Sequence, residues 1–176
     1  EGRGTTIRHW SIGSIAIQTI TEAFPILTQV SIAKSVADIK IGTAAAPTVI
    51  VADTVNVTAD TAAAIASKPI GIAISVPVAL LETSSTISID NANITTTGDL
   101  TVRSKTDNQI NAQAVTAAIA VGIGVSVSVL NSDARATLGP KSVVNVGRDL
   151  FVQADAVDRN YTFANAYGDS SSIFTL

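Results

Sequence analysis

Three stretches of this chain lie over one another without a gap: VSIAKSVADIKIG (30–42), VALLETSSTISID (78–90) and VSVLNSDARATLG (127–139). Successive copies start 48 and 49 residues apart. Large residues recur at Val30/Val78/Val127 and Ile32/Leu80/Val129. A polar break follows at Lys34-Ser35, Glu82-Thr83 and Asn131-Ser132, and a short alternating piece ends at Ile41, Ile89 and Leu138. A second block follows each copy: DTVNVTAD (53–60), GDLTVRSK (98–105) and RDLFVQAD (148–155). A repeated unit of this size cannot bury its apolar face alone and has to stack on its neighbours. The repeat therefore constrains the fold more than any other feature.

The most apolar stretch, AVGIGVSVSVLNSDARATLG (120–139), gives the type of element. Val121, Ile123, Val125, Val127 and Val129 alternate with Gly122, Gly124, Ser126 and Ser128, a period of two with large side chains on one face and tiny ones on the other. IGIAISVPVALL (70–81) repeats the pattern, with Ile70, Ile72, Ile74, Val76 and Val78 opposed to Gly71, Ala73, Ser75, Pro77 and Ala79. FPILTQVSI (24–32) is a more degenerate copy. A membrane helix needs about 20 apolar residues. Residues 115–130 approach that length but contain two Gly, two Ser and one Thr, with no basic flank, so the reading is a strand. GIGVSV lacks the third glycine of a dinucleotide loop, and GPKS (139–142) lacks the upstream glycine of a P-loop. The glycines already have a role as the small face of a strand. TAAAIASKP (61–69) is the best local candidate for a helix, but the equivalent NAQAVTAAIA (111–120) alternates.

These patterns predict an all-β chain forming one repetitive domain over residues 1–176, with modules at about 18–58, 59–105 and 106–155 and a partial fourth at 156–176. The expected architecture is a β-solenoid, resembling a parallel β-helix; the alternative is a two-sheet β-sandwich of antiparallel hairpins. A solenoid turn takes roughly 20–25 residues and rises by one strand spacing of ~4.8 Å, so about two turns per module and about seven in all are expected. With hydrophobic residues at 47% and aromatics at 4%, the core has to be built from Val, Ile, Leu and Ala. Val and Ile ladders are expected to fill the inside, with the Gly/Ala/Ser face lying against a second sheet or forming a flat outer wall. Long Val/Ile strands of low charge aggregate when their edges are exposed. Stacking pairs every strand except those at the two ends, which need caps or another copy. The final IFTL is apolar, which fits truncation or end-to-end assembly.

Chemistry is sparse. Net charge is −3, and the eleven basic residues are scattered singly, which gives nucleic-acid binding no support. With no Cys there are no disulfides, thiolate metal sites or Cys nucleophiles. There is also no Met, which fits a processed product or an excised fragment with any signal peptide outside it. His9, beside Trp10, is the single histidine; no G-x-S-x-G accompanies it, so it reads as a surface residue. Acidic residues include Asp90, Asp99, Asp107, Asp133, Asp149, Asp155, Asp158 and Asp169. Stacking could bring Asp99 near Asp149 as a Ca²⁺ or glycoside-cleaving pair, but G-G-x-G-x-D is absent and turn formation explains these positions more simply. The three sequons at Asn56, Asn93 and Asn160 are a weak pattern, and no strict T-x-T ladder supports ice binding. No catalytic, cofactor-binding or metal residues are assigned, and no cofactor is expected.

The stretches VGIGVSVSVLNSDARATLG…VVNVGRDLFVQAD and IGIAISVPVALLETSSTISID…TTGDLTVRSK resemble repeats of giant bacterial surface exoproteins, the filamentous-haemagglutinin-like and leukotoxin-like adhesins. The resemblance covers most of residues 20–165 and is structural. It implies a secreted, cell-surface or matrix protein with an elongated β-rich body, and it carries over no catalytic residue. The expected function is a structural and adhesive segment rather than an enzyme. Its expected partners are other copies, neighbouring repeats of a longer chain, a host surface or polysaccharide, with no nucleic acid and no membrane span. Two alternatives are a self-assembling extracellular filament subunit joined by strand pairing and a polysaccharide-acting enzyme on a β-helix.

Overall fold

The computed structural model describes residues 5–11, 15–21, 26–42, 45, 47–71, 74–118, 121–168 and 172–175. In chain order, β1 (Thr5–Ser11) and β2 (Ile15–Thr21) precede β3 (Ile26–Ile41), β4 (Thr48–Ala52) and β5 (Val55–Ser67). The same long–short–long series returns as β7 (Ile74–Ile89), β8 (Ala92–Thr96) and β9 (Leu100–Ala118), preceded by the two-residue β6 (Ile70–Gly71). It returns again as β10 (Val121–Gly124) with β11 (Val127–Leu138), then β12 (Val143–Val146) and β13 (Leu150–Gly168); β14 (Ser172–Thr175) follows. No helix occurs among the described residues, and the TAAAIAS stretch belongs to β5.

The strands form three sheets. The front sheet runs β1-β5-β9-β13, the back sheet β14-β10-β7-β3-β2 with β11 beside β7, and the side sheet β12-β8-β4. Every described ladder is parallel except β2 with β3. This is not the antiparallel pairing of the hairpin sandwich. The sequence alignment is the pairing register: Val30, Val78 and Val127 lie side by side, as do Ile41, Ile89 and Leu138. In the front sheet Val57 pairs with Val102, and Val102 with Val152.

One expectation is corrected. Each module adds a single strand to each sheet, so it makes one pass through the three sheets rather than two turns. The strands are the reason. β7 and β9 alone use 16 and 19 residues, so a pass consumes the whole 48-residue offset between Val30 and Val78.

The placement of large and small residues follows the number of sheets that meet. Where all three converge, the interior has room for branched side chains. Ile39, Ile41, Ile87 and Ile89 of the back sheet close there on Val55, Val57, Leu100 and Val102 of the front sheet and Ile94 of the side sheet. Farther along, only the front and back sheets face each other, and most of the inner positions become small: Ser31, Ala33 and Ser35 on β3, Ser75 and Ala79 on β7, Ala112 and Ala114 on β9, with a second apolar cluster formed where Leu81, Ile65 and Ile110 pack among them. The two sheets are one side chain apart. The Ser85 hydroxyl of β7 donates to the Ala59 carbonyl of β5 at 2.7 Å, and Ser126 donates to the Ala112 carbonyl at 2.9 Å.

The expected burial of the Val/Ile face is therefore reversed in the first half of each long back-sheet strand. Ile32, Val127 and Val129 are exposed, while the Ala and Ser residues between them pack against the front sheet. Gly124 belongs to the same small face, its ideal Cβ position lying 3.5 Å from Ala114 Cβ. The apolar parity switches within the strand, so that Leu81, Ile87 and Ile89 point inward where Val76, Val78 and Leu80 point outward.

Between the two apolar clusters runs a seam of buried hydroxyls and one amide. Ser104 bonds Ser85, Thr106 shares a hydrogen bond of 2.8 Å with Ser132, and the Asn108 amide donates to Ser132 Oγ at 3.1 Å and to Asp158 at 2.7 Å. Thr61 Oγ1 and Thr83 Oγ1 lie in the same seam without a partner. The corners between sheets need special backbone. Gly42 has φ of 79° and a Cβ there would fall 1.8 Å from the Asp90 carbonyl oxygen, so only glycine fits.

Candidate functional site

With the interior filled, the chemistry lies on the outer faces. The outward rows of the front sheet are set by register. Thr58, Arg103 and Gln153 form one row, Asp60, Lys105 and Asp155 the next, then Ala62, Asp107 and Val157, then Ala64, Gln109 and Arg159. Opposite charges meet along and across strands: Arg159 to Asp107 at 2.6 Å, Arg103 to Asp155 at 3.4 Å and Lys105 to Asp107 at 3.5 Å. The hydrogen bond from Arg159 holds the Asp107 carboxyl below the usual carboxylate range; partial burial opposes this, and the charges of Arg159 and Lys105 add to it. A shallow groove lies among Asp60, Thr61, Ala62, Arg103, Lys105 and Asp107.

In the next row beyond Arg159 the face becomes aromatic. Tyr161 and Phe163 stack with ring centroids 6.3 Å apart and planes 19° apart. They are 53% and 44% exposed. Their in-register neighbours on β9 are Asn111 and Gln113, whose side chains are joined by a 2.9 Å hydrogen bond from the Gln113 amide. Phe151 stands exposed at the other end of β13, on the same outer face as Gln153 and Asp155.

The back sheet presents a different surface. Ile32, Leu80 and Val129 line an apolar groove edged by Lys34, Glu82 and Asn131, with Lys34 bonded to Glu82 at 3.1 Å. No described helix is long and apolar enough to cross a membrane.

The residues singled out from sequence are dispersed. Asp99 and Asp149 do occupy equivalent places, one residue before the paired Leu100 and Leu150. They do not form a free carboxylate pair: the Asp149 backbone N–H donates to Asp99 Oδ1 at 3.2 Å, and Arg148 approaches the same oxygen at 3.6 Å. Asp99 thus holds the turn of the next layer. Among the described residues no group of three or more His, Asp or Glu is placed to hold a metal ion. GPKS forms the turn between β11 and β12, closed by the Ser142 N–H donating to the Gly139 carbonyl at 3.1 Å, with no helix behind it. Asn93 of the second sequon is exposed on β8, whereas Asn160 accepts hydrogen bonds from Ser128 and Thr162. His9 lies on β1 opposite Ala59, and its side chain falls outside the described residues, as does Asp169. Sequence reasoning missed the Tyr161/Phe163 platform. Its signal was the i, i+2 spacing of two rings on one face of a strand.

No family model, no curated protein and no solved structure matches this chain.

Proposed function

We propose that this chain is a structural and adhesive segment of a bacterial extracellular surface or matrix protein, built as a β-solenoid whose three faces are the three sheets, and that it performs no catalysis. The observation that carries the reading is the identity between sequence offset and strand register. The repeat acts as a translation: each module lays Val on Val and Ile on Ile, and adds one strand to every sheet. Such a body extends by repetition at ~4.8 Å per layer, and its main chain is tied into ladders, which slows proteolysis. The faces then present in-register rows of side chains as contact surfaces. The resemblance to repeats of giant surface exoproteins points the same way. Immunogold labelling of intact source cells with antibody raised against the purified chain tests it. Label on the outer surface or in shed material is expected; label confined to the cytoplasm refutes it.

A second reading is favoured by one observation. Leu150 and Val152 of β13 are 49% and 42% exposed, whereas their register partners Leu100 and Val102 are 0% exposed. Among the described residues β13 is a 19-residue parallel strand paired on one side only, a template for strand addition. In the filament reading a second copy covers this end, and negative-stain electron microscopy of the purified chain shows long polymers; in the first reading it shows discrete particles.

A further inference from the structure

We propose that the outer face of the front sheet is a binding site for a neutral glycan chain, with Tyr161 and Phe163 as its stacking platform. The proposal rests on the adhesive reading and names its ligand class. It begins from where the aromatic residues lie. The chain has one Trp, two Tyr and four Phe, and none of its described buried hydrophobic residues is aromatic. Phe151, Tyr161 and Phe163 stand instead on one outward face, each about half exposed. Large rings that add nothing to the core and remain wetted are an informative departure from ordinary burial.

Their surroundings select the ligand. A sugar ring offers an apolar C–H face for stacking and a rim of hydroxyls that both donate and accept. Stacked rings next to fixed planar amides and carboxylates match both features. Asn111 and Gln113 flank the rings at one strand spacing and are already oriented by their mutual hydrogen bond. Gln153 is likewise held against Asp155 at 2.8 Å. Preset groups lose little freedom on binding.

Charge selects further. The described ionic side chains of this face are Asp60, Asp107 and Asp155 against Arg103, Lys105 and Arg159, so the charges cancel, and three ion pairs join them. With no net charge among the described ionic side chains, the β5-β9-β13 part of the face exerts little attraction on an acidic polysaccharide. A protein partner would favour a contiguous apolar patch at the centre of the contact, whereas here Phe151 is separated from the stacked Tyr161 and Phe163 by Gln153, Asp155, Val157 and Arg159. The ten residue steps from Phe151 to Tyr161 span roughly 33 Å of strand, which suits an extended chain rather than a single sugar. Layers stacked on the β13 edge would leave this face open, so the site is compatible with a longer rod.

Affinity electrophoresis of the full chain through gels containing xyloglucan, galactomannan, hydroxyethyl cellulose or laminarin tests this, with polygalacturonate as the acidic comparison. Retardation in at least one neutral gel is expected, unchanged by added salt. Y161A/F163A should weaken it about tenfold or more, while Y161F/F163Y keeps it, and Ile32→Ser on the back sheet leaves it unchanged. Far-UV circular dichroism and the melting temperature of Y161A/F163A establish that it folds; if it does not, Asn111→Ala with Gln113→Ala supplies the loss-of-binding arm. The proposal is overturned by no retardation in any neutral gel, by full retardation of the folded Y161A/F163A variant, or by salt-sensitive retardation in polygalacturonate alone. Surface immunolabelling combined with any of these results would sink the glycan site and leave the adhesive reading standing.

Discussion

Replacing Leu100 by Ala and, separately, Leu150 by Ala compares one side chain in two layers of the same ladder. Leu100 is 0% exposed and enclosed by the branched cluster where three sheets meet. Leu150, its partner in register, is 49% exposed. Truncation removes about three methyl or methylene groups, worth ~0.8 kcal/mol each when buried, or ~2.4 kcal/mol of transfer free energy. At position 100 the enclosed cavity adds to this, bringing the loss to about 3–5 kcal/mol. At position 150 about half the transfer term applies and the space opens to solvent, so ~1 kcal/mol is expected. Urea denaturation followed by far-UV circular dichroism, at two protein concentrations tenfold apart, reads both values. Equal losses at the two positions would refute the uncapped-layer reasoning. A concentration-dependent midpoint, with a loss at 150 that rises toward that at 100, would show that another copy covers the end and favour the filament reading.

The hydroxyl seam gives predictions of opposite sign. Thr61→Val keeps the shape and removes a buried oxygen that has no partner, so stability should rise by about 1 kcal/mol in the same denaturation assay; a loss would mean that this hydroxyl is satisfied after all. Ser132→Ala strips the partner from Thr106 and Asn108 and should cost about 1–3 kcal/mol. Asp107 should titrate below the ordinary carboxylate value of ~3.9. Because the folded value is the lower one, its contribution to stability is present above the unfolded pKa and is lost as pH falls through the folded one. In Arg159→Gln the carboxyl carbon midpoint, read by NMR, should move up; an unmoved midpoint would show that Arg159 is not the cause.

Much of the fold is legible in the sequence because a strand's period and a repeat's offset are local or translational properties. The alternation at 121–129 makes a strand whatever surrounds it, and the gapless match of Val30, Val78 and Val127 gives the register, since any slip by one residue would turn every side chain to the other face. Two things depended on tertiary structure besides the parallel sense of the pairing. The first is the number of passes per module, which follows from how long each strand runs before it turns. The second is which face is inside. A two-period pattern states that two faces differ without stating which one is buried, and here the answer changes along a single strand: Ala79 lies inside where two sheets meet closely, and Ile87 lies inside where three sheets leave room. The candidate site was least legible, since Tyr161, Phe163, Asn111 and Gln113 are distant in sequence and become neighbours only through the parallel register of β9 and β13. The sequence by itself therefore determined the elements and the register that the repeat allows, while the tertiary structure decided that the strands pair in parallel, and inter-sheet spacing decided the core and, with it, the faces left open for contact.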